Sequence, residues 1–162
     1  MKLDLQAQLF LRHPRFFRRR KSGANSSAGP IDSWGLEVGD GCYDLIDGLA
    51  NQFEEYMAQL VVQGVDKQRL PRASQLKEKF GELRISDDNI KRLPPNLIDA
   101  IASTEAASLV TCECCGEPGV LRRGGYLVVE CDRCHQAPDQ RETFDVNAYL
   151  LQLREVLKAR AT

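Results

Sequence analysis

The chain has 162 residues, with 22 Lys and Arg against 23 Asp and Glu, for a formal net charge of −1. That balance excludes a global electrostatic pull towards nucleic acid, so any such binding has to be local. Hydrophobic residues make up 43% and charged residues 28%, the proportions of a soluble globular protein, and no apolar run approaches the roughly 18 residues of a membrane span. The length fits one domain with a small appended module. The opening MKLDLQAQLF contains Asp4 and lacks the apolar stretch of a signal peptide, which makes the cytoplasm the expected compartment.

Lys2 to His13 reads as a short amphipathic helix, with Leu3, Leu5, Leu9, Phe10 and Leu11 apolar and Pro14 at its end. Phe16 and Phe17 follow, expected in the core. Around them lies the one dense basic cluster, Arg15, Arg18, Arg19, Arg20 and Lys21, either a solvated turn or a phosphate contact. Residues 22–30, rich in Ser, Gly and Ala, read as a flexible linker. Trp34, Leu36 and Val38 alternate with polar or small residues, as in a short strand or extended lead-in. Asp40 is the expected N-cap of a helix running from Cys42 to Gly64, where Leu45, Ile46, Leu49, Phe53, Tyr56, Met57 and Leu60 recur at three- and four-residue steps. Cys42, distant in sequence from the other cysteines, is expected to be a small apolar core residue.

Residues 70–85, LPRASQLKEKFGELRI, fit two short strands with Gly81 in the turn; a helix over Ala73 to Phe80 fits nearly as well. Asp87, Asp88 and Asn89 look like a turn. Pro95 suits the first turn of a helix reaching about Ser108, with Leu97, Ile98, Ile101, Ala102 and Glu105 on it. Past a polar loop over residues 136–140, Thr143 or Asp145 caps a last helix whose apolar face is Val146, Tyr149, Leu150, Leu153, Val156 and Leu157.

Between those two helices lies TCECCGEPGVLRRGGYLVVECDRCH, from Thr111 to His135, which holds five of the six cysteines. Cys112 with Cys115, and Cys131 with Cys134, form two C-x-x-C pairs spaced as in a four-cysteine zinc site. Val120-Leu121 and Tyr126 to Val129 are β-favouring runs around Gly124-Gly125, a two-residue hairpin turn. Such a hairpin returns the second pair to the first, as in a zinc ribbon with one structural zinc ion. Reducing conditions disfavour disulfides, thioredoxin-like chemistry needs one C-x-x-C at a helix start, and a catalytic zinc keeps an open position that four thiolates close. Cys114 and His135 are spare ligands beside the site, with His135 an alternative to Cys134.

The series WGLEVGDGCYDLID, QLKEKFGELRI and SLVTCECCGEPGVLRRGGYLVVECDRCH resembles a family of uncharacterised small proteins of bacteria, phages and prophages. In that family the blocks read WG..CGDGW.DLID, VKEKFGGLRFY and CE.CG.PG..R..GW...LC..H. The resemblance spans about Leu9 to His135. Cys112, Cys115 and Cys131 match its cysteines, Cys134 takes the place of its final histidine, Cys42 stands for its tryptophan and Glu82 for a glycine. It implies zinc and a mobile-element setting, and no reaction.

The resulting expectation is an α+β fold, a helical body with a small β-sheet and a four-cysteine zinc ribbon. Its parts are an N-terminal helix and basic linker (1–30), an α+β body (31–110), the ribbon (111–136) and a C-terminal helix packed on the body (137–162). The expected function is non-catalytic binding of a protein partner, as an immunity or antitoxin-type inhibitor or a phage-derived accessory factor. Asp40, Asp44, Asp47, Glu54 and Glu55 form the candidate partner face. The alternative is a nucleic-acid accessory role using Arg122, Arg123, Tyr126 and Arg133 for phosphate contact and base stacking. No membrane association is expected.

Overall fold

The computed structural model describes residues 1–19, 29–87, 92–136 and 145–160. Arg20, Lys21, Asp88, Asn89, Thr143 and the segments 22–28 and 137–140, for which a linker, turns, a loop or a cap were expected, lie outside the described residues. The fold is mixed: six helices and two separate two-stranded antiparallel sheets among the described residues. None of these helices is long and apolar enough to cross a membrane.

The helices are α1 (Leu3–Arg12), α2 (Pro30–Trp34), α3 (Tyr43–Val62), α4 (Pro95–Ser108), α5 (Asp132–Gln136) and α6 (Val146–Lys158). The long one, α3, buries Ile46, Leu49, Ala50, Phe53 and Met57, the face its three- and four-residue spacing predicts. Pro95 opens α4, where a missing N–H costs nothing, and Asp145 caps α6 by accepting from the amides of Asn147 and Ala148. One apolar core gathers Leu9 and Phe10 of α1, Phe16 and Phe17, α3, Leu97 and Ile101 of α4, and Leu153 and Leu157 of α6. At its centre Phe16 lies against Phe53, with ring centroids 4.6 Å apart, and against Phe17 at 4.9 Å.

Two expectations are corrected nearby. Trp34 is not in an extended segment but ends α2, because Pro30 starts a helical turn and Gly35, at φ +69°, terminates it. The extended stretch begins only after it, with Leu36 and Val38 buried. Asp40 is not the cap of α3, a position Cys42 occupies. It starts a 3₁₀ turn (Asp40–Cys42) and accepts from the Lys2 amide at 2.7 Å.

Residues 73–87 form a hairpin, β1 (Ala73–Lys79) with β2 (Glu82–Asp87), Leu76 opposite Ile85. Phe80 at φ +59° and Gly81 at φ +82° supply the two left-handed residues of a type I′ turn, whose twist matches that of the strands. Leu83 and Ile85 point into the core while Arg84 and Ser86 point out, an alternation a helix would not have preserved. Neither edge of this sheet is left open. Along β1, Glu37 bonds through its amide to the Leu76 carbonyl at 3.0 Å and through its carbonyl to the Glu78 amide at 2.9 Å. Along β2, α4 side chains take the outward amides: Ser108 Oγ accepts from Leu83 and Glu105 Oε1 from Ile85, both at 2.9 Å.

The basic segment is structural where it is described. Phe16 and Phe17 are buried, as expected. Arg18 is buried and donates to the carbonyls of Arg15, Pro71 and Leu70. Arg160, from the end of the chain, reaches Asp32 at 3.0 Å and the Phe17 carbonyl at 2.6 Å, and burial lowers its pKa to about 10. Charge-assisted bonds from these buried guanidiniums thus tie the segment after α1 to residues 70–71 through Arg18, and to α2 and the end of α6 through Arg160.

Replacing Ser108 by Ala leaves the Leu83 amide buried and unpaired. Urea denaturation should show a loss of about 1–3 kcal/mol with an unchanged slope.

Candidate metal centre

The ribbon hairpin consists of β3 (Val120–Gly124) and β4 (Tyr126–Glu130), with Leu121 opposite Val129. Its turn differs from the expected two-residue form. Gly124 pairs with Tyr126, so the bend is centred on Gly125 alone, at φ +80°. The hairpin still returns the chain to its start. Cys112, Cys115, Cys131 and Cys134 come together with all four sulfurs within 4.8 Å of one another.

These residues fit a metal ion. A tetrahedral centre with bonds of about 2.3 Å places its sulfurs about 3.8 Å apart. Cys115 Sγ and Cys131 Sγ are 3.7 Å apart, too far for a disulfide, and all six cysteines are free thiols. The second pair opens α5, an element not anticipated from sequence, which turns the Cys134 amide onto Cys131 Sγ at 3.4 Å. In the first pair the Glu117 amide donates to Cys115, and this pushes that thiol down to about 6, with Cys134, Cys112 and Arg133 assisting. Cys134 is pushed upward by hydrogen bonding to Cys115 and then Cys131. The sulfurs thus share protons, which a bound cation would displace while closing the site.

The two spare ligands are held elsewhere by a single carboxylate. Glu130 Oε2 lies 3.0 Å from His135 Nδ1, and Glu130 Oε1 accepts from Cys114 Sγ at 3.7 Å. Neither residue belongs to the cluster. Burial, followed by the nearby Cys112 and Glu130, pushes the Cys114 thiol up to about 12. Cys42 is buried, as expected, and desolvation raises it to about 12 as well.

The docking of this centre on the body escaped sequence reasoning. The Gly41 amide donates to the Glu113 carbonyl at 2.8 Å, and the Gly39 amide to Glu113 Oε1 at 3.0 Å. The Glu113 amide in turn donates to the Val129 carbonyl of β4 at 2.8 Å. Glu113, the residue between two cysteines, therefore joins the loop before α3 to the hairpin. Burial, and then the charge of Glu78, raise its pKa. A Cβ on Gly41 would lie under 3.0 Å from the Cys112 carbonyl oxygen and from the amides of Cys115 and Gly116. Only glycine lets the two backbones approach so closely. The turn of the first hairpin docks beside it: a Cβ on Gly81 would run into Leu121, and Tyr126 Oη donates to Glu78 Oε2 at 2.5 Å. The repeated glycines of GDG and the FG pair were the available signal.

Of the other candidates, Arg122 donates to Asp132 at 2.5 Å and to the Glu130 carbonyl at 3.3 Å, and Arg133 bonds the Cys115 sulfur. Arg123 is exposed with no partner among the described residues. In the acidic set, Asp40 binds Lys2, Asp47 Oδ1 binds His13 Nε2 at 2.7 Å and Arg12 at 2.9 Å, and Glu54 caps the Arg15 and Phe16 amides at 2.6 and 2.9 Å. Asp44 and Glu55 are exposed. No protein-family model, curated protein or solved structure matches the chain.

Two substitutions separate docking from ligation. Gly41→Ala should lower the melting temperature and weaken metal retention against a chelator, although no ligand is touched. Gly48→Ala, in mid-helix with open space around it, should be more stable by about 0.5–1 kcal/mol. Among the cysteines, Cys131→Ser should lose the metal and Cys114→Ser should keep it, as read by elemental analysis of protein purified under reducing conditions.

Proposed function

We propose that the four cysteines hold one structural zinc ion and that the protein acts by binding a protein partner without catalysis. Four thiolates at tetrahedral spacing suit zinc and leave no position for a reacting water. Structural zinc in small modules contributes about 10–16 kcal/mol of apparent binding free energy, enough to hold a surface hairpin of this size rigid.

The observation that carries the partner role is the apolar surface around the ribbon. Phe80 is 69% exposed, Val110 64%, Val120 55% and Tyr126 69%, with Leu109 and Leu121 beside them. The Gly119 amide bonds the Val110 carbonyl at 2.8 Å, and Gly81 abuts Leu121, so the turn of the first hairpin, the end of α4 and the ribbon hairpin that carry these side chains adjoin one another. Solvated apolar side chains on adjoining elements are the surface a partner buries. The exposed Asp44 and Glu55 on α3 offer a second, acidic contact.

The nucleic-acid alternative has less support. Three of its four candidate groups already bond Asp132, Cys115 or Glu78, and the Asp132 and Glu78 carboxylates would repel a phosphate backbone. The resemblance to phage-linked sequences favours a stoichiometric role, as an immunity or antitoxin-type inhibitor or a phage-derived accessory factor.

Elemental analysis should give one zinc per chain. Co-purification from the native host should give a one-to-one complex that persists at high salt, whereas gel shifts with DNA and RNA should show only non-specific affinity, about 10⁻⁴–10⁻⁶ M. Failure to recover any partner, together with nanomolar nucleic-acid binding that falls when Arg122 and Arg123 become Ala, would reverse the assignment.

A further inference from the structure

The strands of this protein differ in how their edges are treated. The outer side of β1 is taken by Glu37, and that of β2 by Ser108 and Glu105. The outer side of β4 is taken at Val129 by Glu113. Along β3, from Val120 to Gly124, no backbone hydrogen bond other than those to β4 is made among the described residues. Natural sheets close or blunt such edges, because an open row of N–H and C=O groups pairs with any suitable strand. Here the open edge is also apolar at one end, where Val120 and Leu121 adjoin Val110 and Leu109. At the other end it carries Arg122 and Arg123.

The arginines decide what kind of strand fits. A second copy pairing antiparallel about the middle of β3 would set Arg122 against Arg122, and like charges directly opposite each other are destabilising. A strand with Asp or Glu at alternate positions would instead pair with Arg123, which is exposed and has no partner among the described residues. Its intervening apolar side chains would lie on the opposite face, beside Val120. The ribbon's zinc and the Gly41–Glu113 dock hold the edge in place, so its ordering is complete before a partner arrives.

We propose that β3 is a strand-addition site, at which an extended acidic segment of the partner protein joins the ribbon sheet. This rests on the partner-binding role proposed above and specifies its chemistry. Main-chain bonds along β3 supply affinity, and a carboxylate paired with Arg123 supplies sign selectivity and register. Because that pair is solvent-exposed, salt weakens the complex without abolishing it.

The test uses the full zinc-loaded chain and a displayed library of random twelve-residue peptides. Enriched peptides should carry Asp or Glu at alternate positions. Added as synthetic peptides, they should slow amide hydrogen exchange within 120–124. Arg123→Glu, at a side chain remote from the cysteines, should keep its zinc and melting temperature yet weaken these peptides at least tenfold. Neutral or basic enriched peptides, an exchange footprint elsewhere, or no enrichment at all would overturn the proposal. So would a concentration-dependent dimer protected along β3, which would make a second copy the occupant. A native complex whose footprint falls on α3 would overturn strand addition while leaving the partner-binding role intact, so the two failures are distinguishable.

Discussion

Much of this structure depends on the contact between the Gly41 amide and the Glu113 carbonyl, at 2.8 Å. It joins the loop that launches α3 to the residue between Cys112 and Cys114, so the first cysteine knuckle is bonded through main chain to the body on one side and to β4 of the ribbon on the other. Cys112 is fully buried as a result, while Cys115 remains at the surface. The four-cysteine cluster is therefore an integral part of the fold, and a change in either half is felt by the other. Backbone docking of this kind tolerates no side chain at Gly41. That steric limit explains why a glycine pair flanks Asp40 far from the cysteines in sequence.

Electrostatic pairing follows the same economy of position. The chain is close to neutral, yet its charges are not left as a diffuse shell. Asp47 and Glu54 of α3 hold His13, Arg12 and the amides of Arg15 and Phe16, which fixes the segment after α1 over the core. Asp32 meets Arg160 at 3.0 Å and Arg72 at 3.7 Å. Buried ions cost several kcal/mol each to desolvate, so they persist where both partners and carbonyl acceptors are in place. Here they link α2 to Arg72 ahead of β1 and, through Arg160, to the end of α6 and the Phe17 carbonyl.

The surface that remains is correspondingly uneven. Sheet edges that would invite indiscriminate pairing are closed by Glu37, Ser108, Glu105 and Glu113, whereas among the described residues β3 keeps its edge and the exposed Arg123, Arg122 being held by Asp132 and the Glu130 carbonyl. A hairpin anchored at its four-cysteine base and an edge left open among the described residues are complementary features. An ordered strand lowers the entropic cost of receiving another.

Local chemistry alone was enough for several elements. The recurrence of Ile46, Leu49, Phe53 and Met57 specified α3 and Pro95 the start of α4, whereas the α6 cap stood between Thr143 and Asp145, and a helix over Ala73 to Phe80 rivalled the first hairpin. The two C-x-x-C pairs with fifteen residues between them specified the cysteine site, because their spacing is itself a geometric statement. The misplaced features each depended on distant groups. Asp40 and Trp34 have the residue types of a cap and a strand, but Lys2 draws Asp40 into another bond and Pro30 with Gly35 bends the chain around Trp34. The bonds of Asp47 and Glu54 in α3 to Arg12, His13 and Arg15 likewise link groups more than thirty residues apart, beyond the reach of any periodic pattern. Spacing along the chain thus determined the helices and the ligand set, whose periods are short. Which glycines the knuckle rests on, and which strand edge stays open, arose only when distant backbones met, since hydrogen bonding between remote peptide groups leaves no periodic trace in sequence.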